Sequence, residues 1–330
     1  SVTGFQTCAL PIYPPTLNLG TAPDFTAGDV SAKILEGLIW LDPEYNPKPA
    51  LATSWTISPD GKTYRFNLRK GVKWHDGRDF TSADVKFTLT EVLAKLHPRA
   101  APVFRNLGIE VETPDASTVV VKLQKPYAPF LSQMTVFDAP MLPSHIYGTG
   151  SIPTNPANQR PIGTGPFKFV EFKQNESIRL ERNPDYWKAG KPYLDAIEYT
   201  IVPNRSTAAL SFVAGKFDMT FPYEMPVPIV RDIEKQAPRA HCEILPNNLS
   251  VNLLINRTSP PFDRPEISQA MGLALDRKTF IDIISEGKSD MGGALLPPPE
   301  GVWGLPPDML RSIPGYGEDI AARRDKARAL

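Results

Sequence analysis

The chain has 330 residues, long enough for two or more domains with sizeable cores. Its 36 Lys and Arg balance 36 Asp and Glu, so no net field draws nucleic acid or an anionic membrane to it. No apolar run approaches the ~20 residues of a membrane span, and the first residues lack the basic and apolar regions of a secretion signal.

Residues 1–12, SVTGFQTCALPI, look like a translated sequencing-library adapter, with Gln6 to Ile12 the telling part. On that reading Cys8 is not native and carries neither a lipoprotein anchor nor a disulfide. Cys242 is then a lone thiol of the kind that packs as a small buried hydrophobe. Proline is abundant, 36 residues or about 11% against a typical ~5%. The prolines are scattered without a repeat, which predicts long ordered loops.

Residues 15–19 read as a first strand and 21–28 as a loop, with Asp29 able to cap the helix that follows. Val30, Ile34, Leu35 and Leu38 share a face there. Asp60-Gly61 is a hairpin turn into a strand where Tyr64, Phe66 and Leu68 alternate with Arg65, Asn67 and Arg69. Gly71 breaks the strand, Val72 and Trp74 resume the alternation, and His75 to Arg78 form a tight turn around Gly77. Thr81-Ser82-Ala83-Asp84 is a capping box ahead of a helix with Val85, Leu89, Val92, Leu93 and Leu96 on one face. A hairpin is expected over 111–123, then strands over 167–172, 177–182 and 196–202. A helix over 206–214 ends at Gly215 and leads to a strand over 217–221. A helix over 229–236 precedes strands at 243–245 and 251–256. Pro265 opens the next helix, to Leu275. Asp276-Arg277 starts another that Gly287 ends, 297–304 is a rigid loop, and a last helix begins at Ala321.

The chemistry-bearing residues form no recognisable reactive set. His75-Asp76 offers one imidazole and one carboxylate, an incomplete site that reads as a turn. Gly163-Thr164-Gly165-Pro166 lacks the third glycine and the Gly-Lys-Ser/Thr of a phosphate loop and reads as a tight chain crossing. His75, His97, His145 and His241 have no ligand spacing, and no G-x-S-x-G, H-E-x-x-H or paired cysteine motif occurs. A hydrolase or metal-binding enzyme would need a site assembled by folding from dispersed His, Asp and Glu. No catalytic, metal or cofactor residue is assigned.

Tyr64 to Leu89, YRFNLRKGVKWHDGRDFTSADVKFTL, resembles the signature of the family 5 extracellular solute-binding proteins, receptors of ABC importers for dipeptides, oligopeptides and nickel. Glu36-Gly37-Leu38, Pro161 to Phe167, Asn183 to Trp187, Lys191 to Asp195, Ala214 to Asp218 and Pro260 to Arg277 are similar to further family marks. The run Pro265-Glu266-Ile267 departs slightly from them.

The resemblance implies an α/β (mixed α+β), periplasmic-binding-protein-like, two-lobed fold of type II, or cluster C, with an extra small domain. It implies a first lobe from 13–45 and 163–250, a small second domain from 46–162, and a second lobe beginning at 251 and incomplete at the C-terminus. Family members are much longer, so the chain resembles a fragment truncated at both ends, with apolar helix faces over 266–275 and 277–285 left uncovered. The implied function is a periplasmic, monomeric, non-enzymatic receptor that passes a peptide or other small solute to an inner-membrane ABC permease. The first and third domains close around ligand in this family. The loop after the first strand touches it there, often through backbone groups, which nominates Thr21, Ala22, Asp24 and Phe25. Phe137, Tyr223, Asn256 and Trp303 are further candidates.

Overall fold

The computed structural model describes residues 5–10, 14–22, 24–221, 225–244, 252–289, 291–292 and 305–330. The chain divides into two compact units, residues 1–221 and 222–330.

The N-terminal unit holds ten strands among its described residues. They are β1 (Phe5–Leu10), β2 (Ile39–Leu41), β3 (Pro47–Pro49), β4 (Ala52–Ile57), β5 (Thr63–Leu68), β6 (Glu110–Asp115), β7 (Thr118–Lys122), β8 (Phe167–Lys173), β9 (Ser177–Arg182) and β10 (Ala196–Ile201). One four-stranded sheet runs β1-β10-β9-β8, another runs β4-β5-β7-β6, and β2-β3 is a separate hairpin. Helix α1 (Phe25–Ser31) precedes β2; α2 (Ser82–Phe87) and α3 (Ala100–Leu107) lie between β5 and β6; α4 (Ser144–Tyr147) precedes β8 and α5 (Arg205–Val213) follows β10.

Each large sheet has its own core. Tyr64, Phe66 and Leu68 of β5 are buried while Arg65 and Asn67 are exposed, as the alternation requires. They pack with Trp74, Val85, Leu89, Phe104, Val119, Val121 and Phe130. The other core gathers Leu17, Val30, Ile34 and Leu35 with Ile178, Leu180, Ile197 and Tyr199. Asp84 accepts the Thr81 N–H at 2.9 Å, the capping contact that starts α2. The helix then widens into a π-helical turn over Thr88–Leu93. Thr90 Oγ1 donates back to the Lys86 carbonyl at 3.0 Å, a bond that loosens a helix at this spacing.

Several expected elements differ. Residues 15–19 make no strand: Leu17 N–H goes to the Asn158 carbonyl at 2.9 Å and Asn18 Nδ2 to Asn158 Oδ1 at 2.7 Å. The strand position is taken by β1, parallel to β10 with Cys8, Ala9 and Leu10 buried. The cap of α1 is Asp24 and not Asp29, which lies inside the helix and pairs with Lys33 at 3.4 Å. The strand expected over 217–221 reduces to a single parallel bridge between Cys8 and Met219.

In the C-terminal unit, α6 (Val227–Gln236), α7 (Pro265–Ala274), α8 (Arg277–Ser285), α9 (Pro307–Ser312) and α10 (Ile320–Arg328) are the described elements. Pro265 stands in the first turn of α7, Asp276 caps α8 through the Thr279 N–H, and Gly287 closes α8 at φ 74°. Residues 252–256 form no strand, and Leu254 is 90% exposed. A strand expectation rests on a partner that the local alternation cannot supply. Cys242, expected to be buried, is half-buried. The loop at 297–304 lies outside the described residues. No helix among the described residues is long and apolar enough to cross a membrane.

Candidate functional site

The start of α1 is built by a short turn. Thr21 and Ala22 both donate their N–H groups to the Asn18 carbonyl at 3.2 Å, and Thr21 Oγ1 joins them at 3.2 Å. These donors are therefore used within the turn. Asp24 Oδ1 accepts the Ala27 N–H at 2.9 Å and caps the helix. Among the described residues its second oxygen, Oδ2, accepts no hydrogen bond. Phe25, the first helical residue, is 65% exposed.

Phe137 comes to the same helix from a distant loop. A β-carbon on Gly28 would lie 3.1 Å from Cε1 of Phe137, so the ring rests on the helix where no side chain intervenes. Phe137 thus rests on the helix whose first turn carries Asp24 and Phe25, and Thr21 and Ala22 lie just before that turn. Asn256 belongs to the other unit, where its Oδ1 accepts from Thr258 N and Oγ1 in a local turn. Tyr223 and Trp303 lie outside the described residues.

A second constellation joins residues of four of the motifs, and no composition or spacing marked it. The Glu36 carboxylate accepts Thr164 Oγ1 at 2.8 Å, Tyr186 OH at 2.9 Å and Trp187 Nε1 at 2.9 Å. Burial raises the Glu36 pKa, opposed by the bonds from Trp187, Thr164 and Tyr186. Tyr186 is likewise pushed up, first by burial and then by the Glu36 charge. The Arg69 guanidinium stacks 4.1 Å above the Trp187 ring.

His75 clamps the glycine crossing beside this cluster. Its Nε2 lies 3.0 Å from the Gly165 carbonyl, its Nδ1 accepts the Gly163 N–H at 3.3 Å, and its own N–H donates to the Gly163 carbonyl at 2.9 Å. That pattern fixes the neutral tautomer with the proton on Nε2. Protonating Nδ1 would set two donors against each other, and burial lowers the His75 pKa to about 4. The remaining histidines make contacts of their own. Buried His97 accepts the Arg99 and Ala100 N–H groups, His145 meets Asp76 at 2.7 Å, and His241 meets Glu243 at 2.7 Å. Among the described residues no three His, Cys, Asp or Glu side chains gather to hold a metal ion. A cavity of about 560 Å³ in the C-terminal unit, bordered by Leu273, Arg311, Arg323 and Lys326, contains none of the expected site residues.

The depressed His75 pKa makes a prediction about acid stability. An unfolded imidazole protonates near 6.5, so as pH falls the unfolded chain takes up its proton before the folded chain does. His75 should remove about 3 kcal/mol of stability between pH 7 and pH 4. Glu36 acts in the opposite sense, because a raised carboxyl favours the folded state as pH falls. The contribution is therefore measured against His75→Asn, by urea unfolding at both pH values. Equal pH dependence in the two proteins would refute the clamp.

Residues 46–330 match the family described as bacterial extracellular solute-binding proteins, family 5 Middle. Di/tripeptide-binding protein 1 of Pseudomonas aeruginosa is 34% identical over 273 residues, covering 76% of this chain and 50% of that protein. Glutathione-binding protein GsiB of Escherichia coli is 28% identical, covering 86% of this chain and 54% of that one. The chain spans about half the length of these curated relatives. Among solved structures, the oligopeptide-binding protein AppA from Bacillus subtilis, in complex with a nonapeptide, is 27% identical. It superposes with a TM-score of 0.81 over 99% of this chain and 64% of its own. That similarity includes the mixed α/β, periplasmic-binding-protein type of fold expected from the motifs. The chain belongs to the family 5 bacterial extracellular solute-binding proteins.

Proposed function

We propose that this chain is the solute-capturing part of a monomeric periplasmic receptor that delivers a peptide or similar small molecule to an inner-membrane ABC permease. Relatives named for binding di- and tripeptides, glutathione and a nonapeptide support that ligand class. We read residues 13–45 and 163–250 as the first lobe, 46–162 as the small domain and 251–330 as the start of the second lobe. The observation that carries the site is the surface at the start of α1. Asp24 there keeps one carboxylate oxygen for a donor such as a ligand amine, and Phe25 offers an aromatic face beside it. Tyr223, Asn256 and Trp303 remain candidates on the sequence alone.

Isothermal titration of the full-length protein with a panel of di- and tripeptides tests the reading. Asp24→Ala and Phe25→Ala should each weaken binding by about tenfold, a loss typical of a residue that anchors an interface. Unchanged affinity in both variants would move the ligand away from α1. Cleavage of the peptides without stable binding would replace the receptor with a hydrolase.

A further inference from the structure

Phe137 sits on a loop that three glycines admit to the α1 segment. A β-carbon on Gly37 would fall 2.5 to 2.6 Å from the backbone of Met134, Thr135 and Val136. One on Gly28 would meet the Phe137 ring at 3.1 Å, and one on Gly20 would meet Leu142 Cδ1 at 3.1 Å. Hydrogen bonds fix the same loop on both sides of Phe137. Ala139 N–H donates to the Thr135 carbonyl at 2.8 Å, and Met141 N–H to the Glu36 carbonyl at 2.9 Å. A phenyl ring on so constrained a backbone is nevertheless 52% exposed.

Phe25 stands three residues before Gly28, on the same helix face. The charges near the two rings differ in their commitments. Asp138 is paired with Arg99 at 3.4 Å, whereas Asp24 Oδ2 at the edge of the surface has no partner among the described residues. The α1 segment therefore carries the exposed Phe137 ring on Gly28 and one uncommitted acceptor at its first turn.

We infer that Phe137, seated on Gly28 of the helix that begins at Phe25, is an aromatic ledge that receives an aromatic or aliphatic side chain of a peptide ligand. Selectivity for such peptides over small polar ones then comes from this ledge. The inference rests on the receptor reading above. It adds the class of side chain preferred and the glycine that makes the preference possible. An exposed ring held in advance, as Phe137 is, binds an apolar group with little ordering cost, and the Asp24 acceptor suits a peptide amine.

The test is titration of the full-length protein with trialanine and with three tripeptides that carry a single phenylalanine at successive positions. The wild type should bind at least one phenylalanine peptide about tenfold more tightly than trialanine, the range that an apolar pocket can discriminate. Phe137→Ala should collapse that ratio towards one. Gly28→Ala, which crowds the ring and shifts it by a few tenths of an ångström, should reduce it, and Phe137→Leu should retain part of it. Circular dichroism of Phe137→Leu separates lost selectivity from lost folding. A wild type that does not discriminate, or a ratio unchanged in Phe137→Ala, would overturn the ledge while leaving the receptor standing. Absence of binding to all four peptides would overturn the peptide reading and the ledge with it.

Discussion

Replacing Gly163 with alanine is expected to cost the N-terminal unit at least about 3 kcal/mol, at the severe end for overpacking by a single methyl group. The added β-carbon would stand 1.8 Å from the Ile34 carbonyl oxygen and 2.6 Å from its carbon. Neither side can easily give way. Ile34 O already accepts the Gly165 N–H at 2.8 Å, and the Gly163 N–H and carbonyl are both held by His75. Gly71→Ala is the control, since no atom lies within 4 Å of its β-carbon and its cost arises only from φ at 76°. That cost is about 1–2 kcal/mol. Urea unfolding followed by tryptophan fluorescence compares the two, and equal midpoints would show that the crossing is not tightly packed.

The same glycine illustrates what could be read from the chain. Pro161 to Phe167 is legible as a tight crossing because phosphate-loop residues are missing, but the element it crosses is not. Ile34 lies 129 positions away, and nothing local to either segment names the other. Glu36 is similar. Its partners Thr164, Tyr186 and Trp187 come from 128 to 151 positions further on. Local patterns served well where the cause is local, as in the alternation of Tyr64, Phe66 and Leu68, the Asp84 cap and the positive φ at Gly77.

They failed where a partner decides the outcome. Residues 15–19 are apolar enough for a strand, yet Asn158 takes their hydrogen bonds. Phe5–Leu10 forms β1 along the edge of β10, a partner 191 positions away, and there Cys8 and Leu10 join the core of Leu17, Val30 and Ile34. The candidate site divides along the same line. Asp24 and Phe25 are legible from the loop that carries them, but the approach of Phe137 to their helix is made at Gly28, a residue whose importance lies in having no side chain.

Trp74→Ala should cost about 3–5 kcal/mol, the range for deleting a large buried aromatic side chain. Trp74 is only 2% exposed and meets Phe80 edge-on at 5.7 Å between ring centres. Its indole N–H also donates to Asp84 Oδ2 at 3.3 Å. Asp84 is buried and accepts in addition the Thr81 N–H at 2.9 Å, the Ser144 N–H at 2.9 Å and Ser144 Oγ at 2.7 Å. The indole thus fills the core and helps to satisfy the carboxylate that caps α2 and holds the start of α4. Trp74→Phe keeps a six-membered ring in the core but removes both the donor and the five-membered ring, and should cost less than Trp74→Ala. Urea unfolding of both variants should give that order. Trp74 lies in the core around β5 and not on the α1 surface, so peptide affinity of the folded fraction should not change in either variant. A Trp74→Phe protein that folds fully but no longer binds would instead place this core in contact with the ligand.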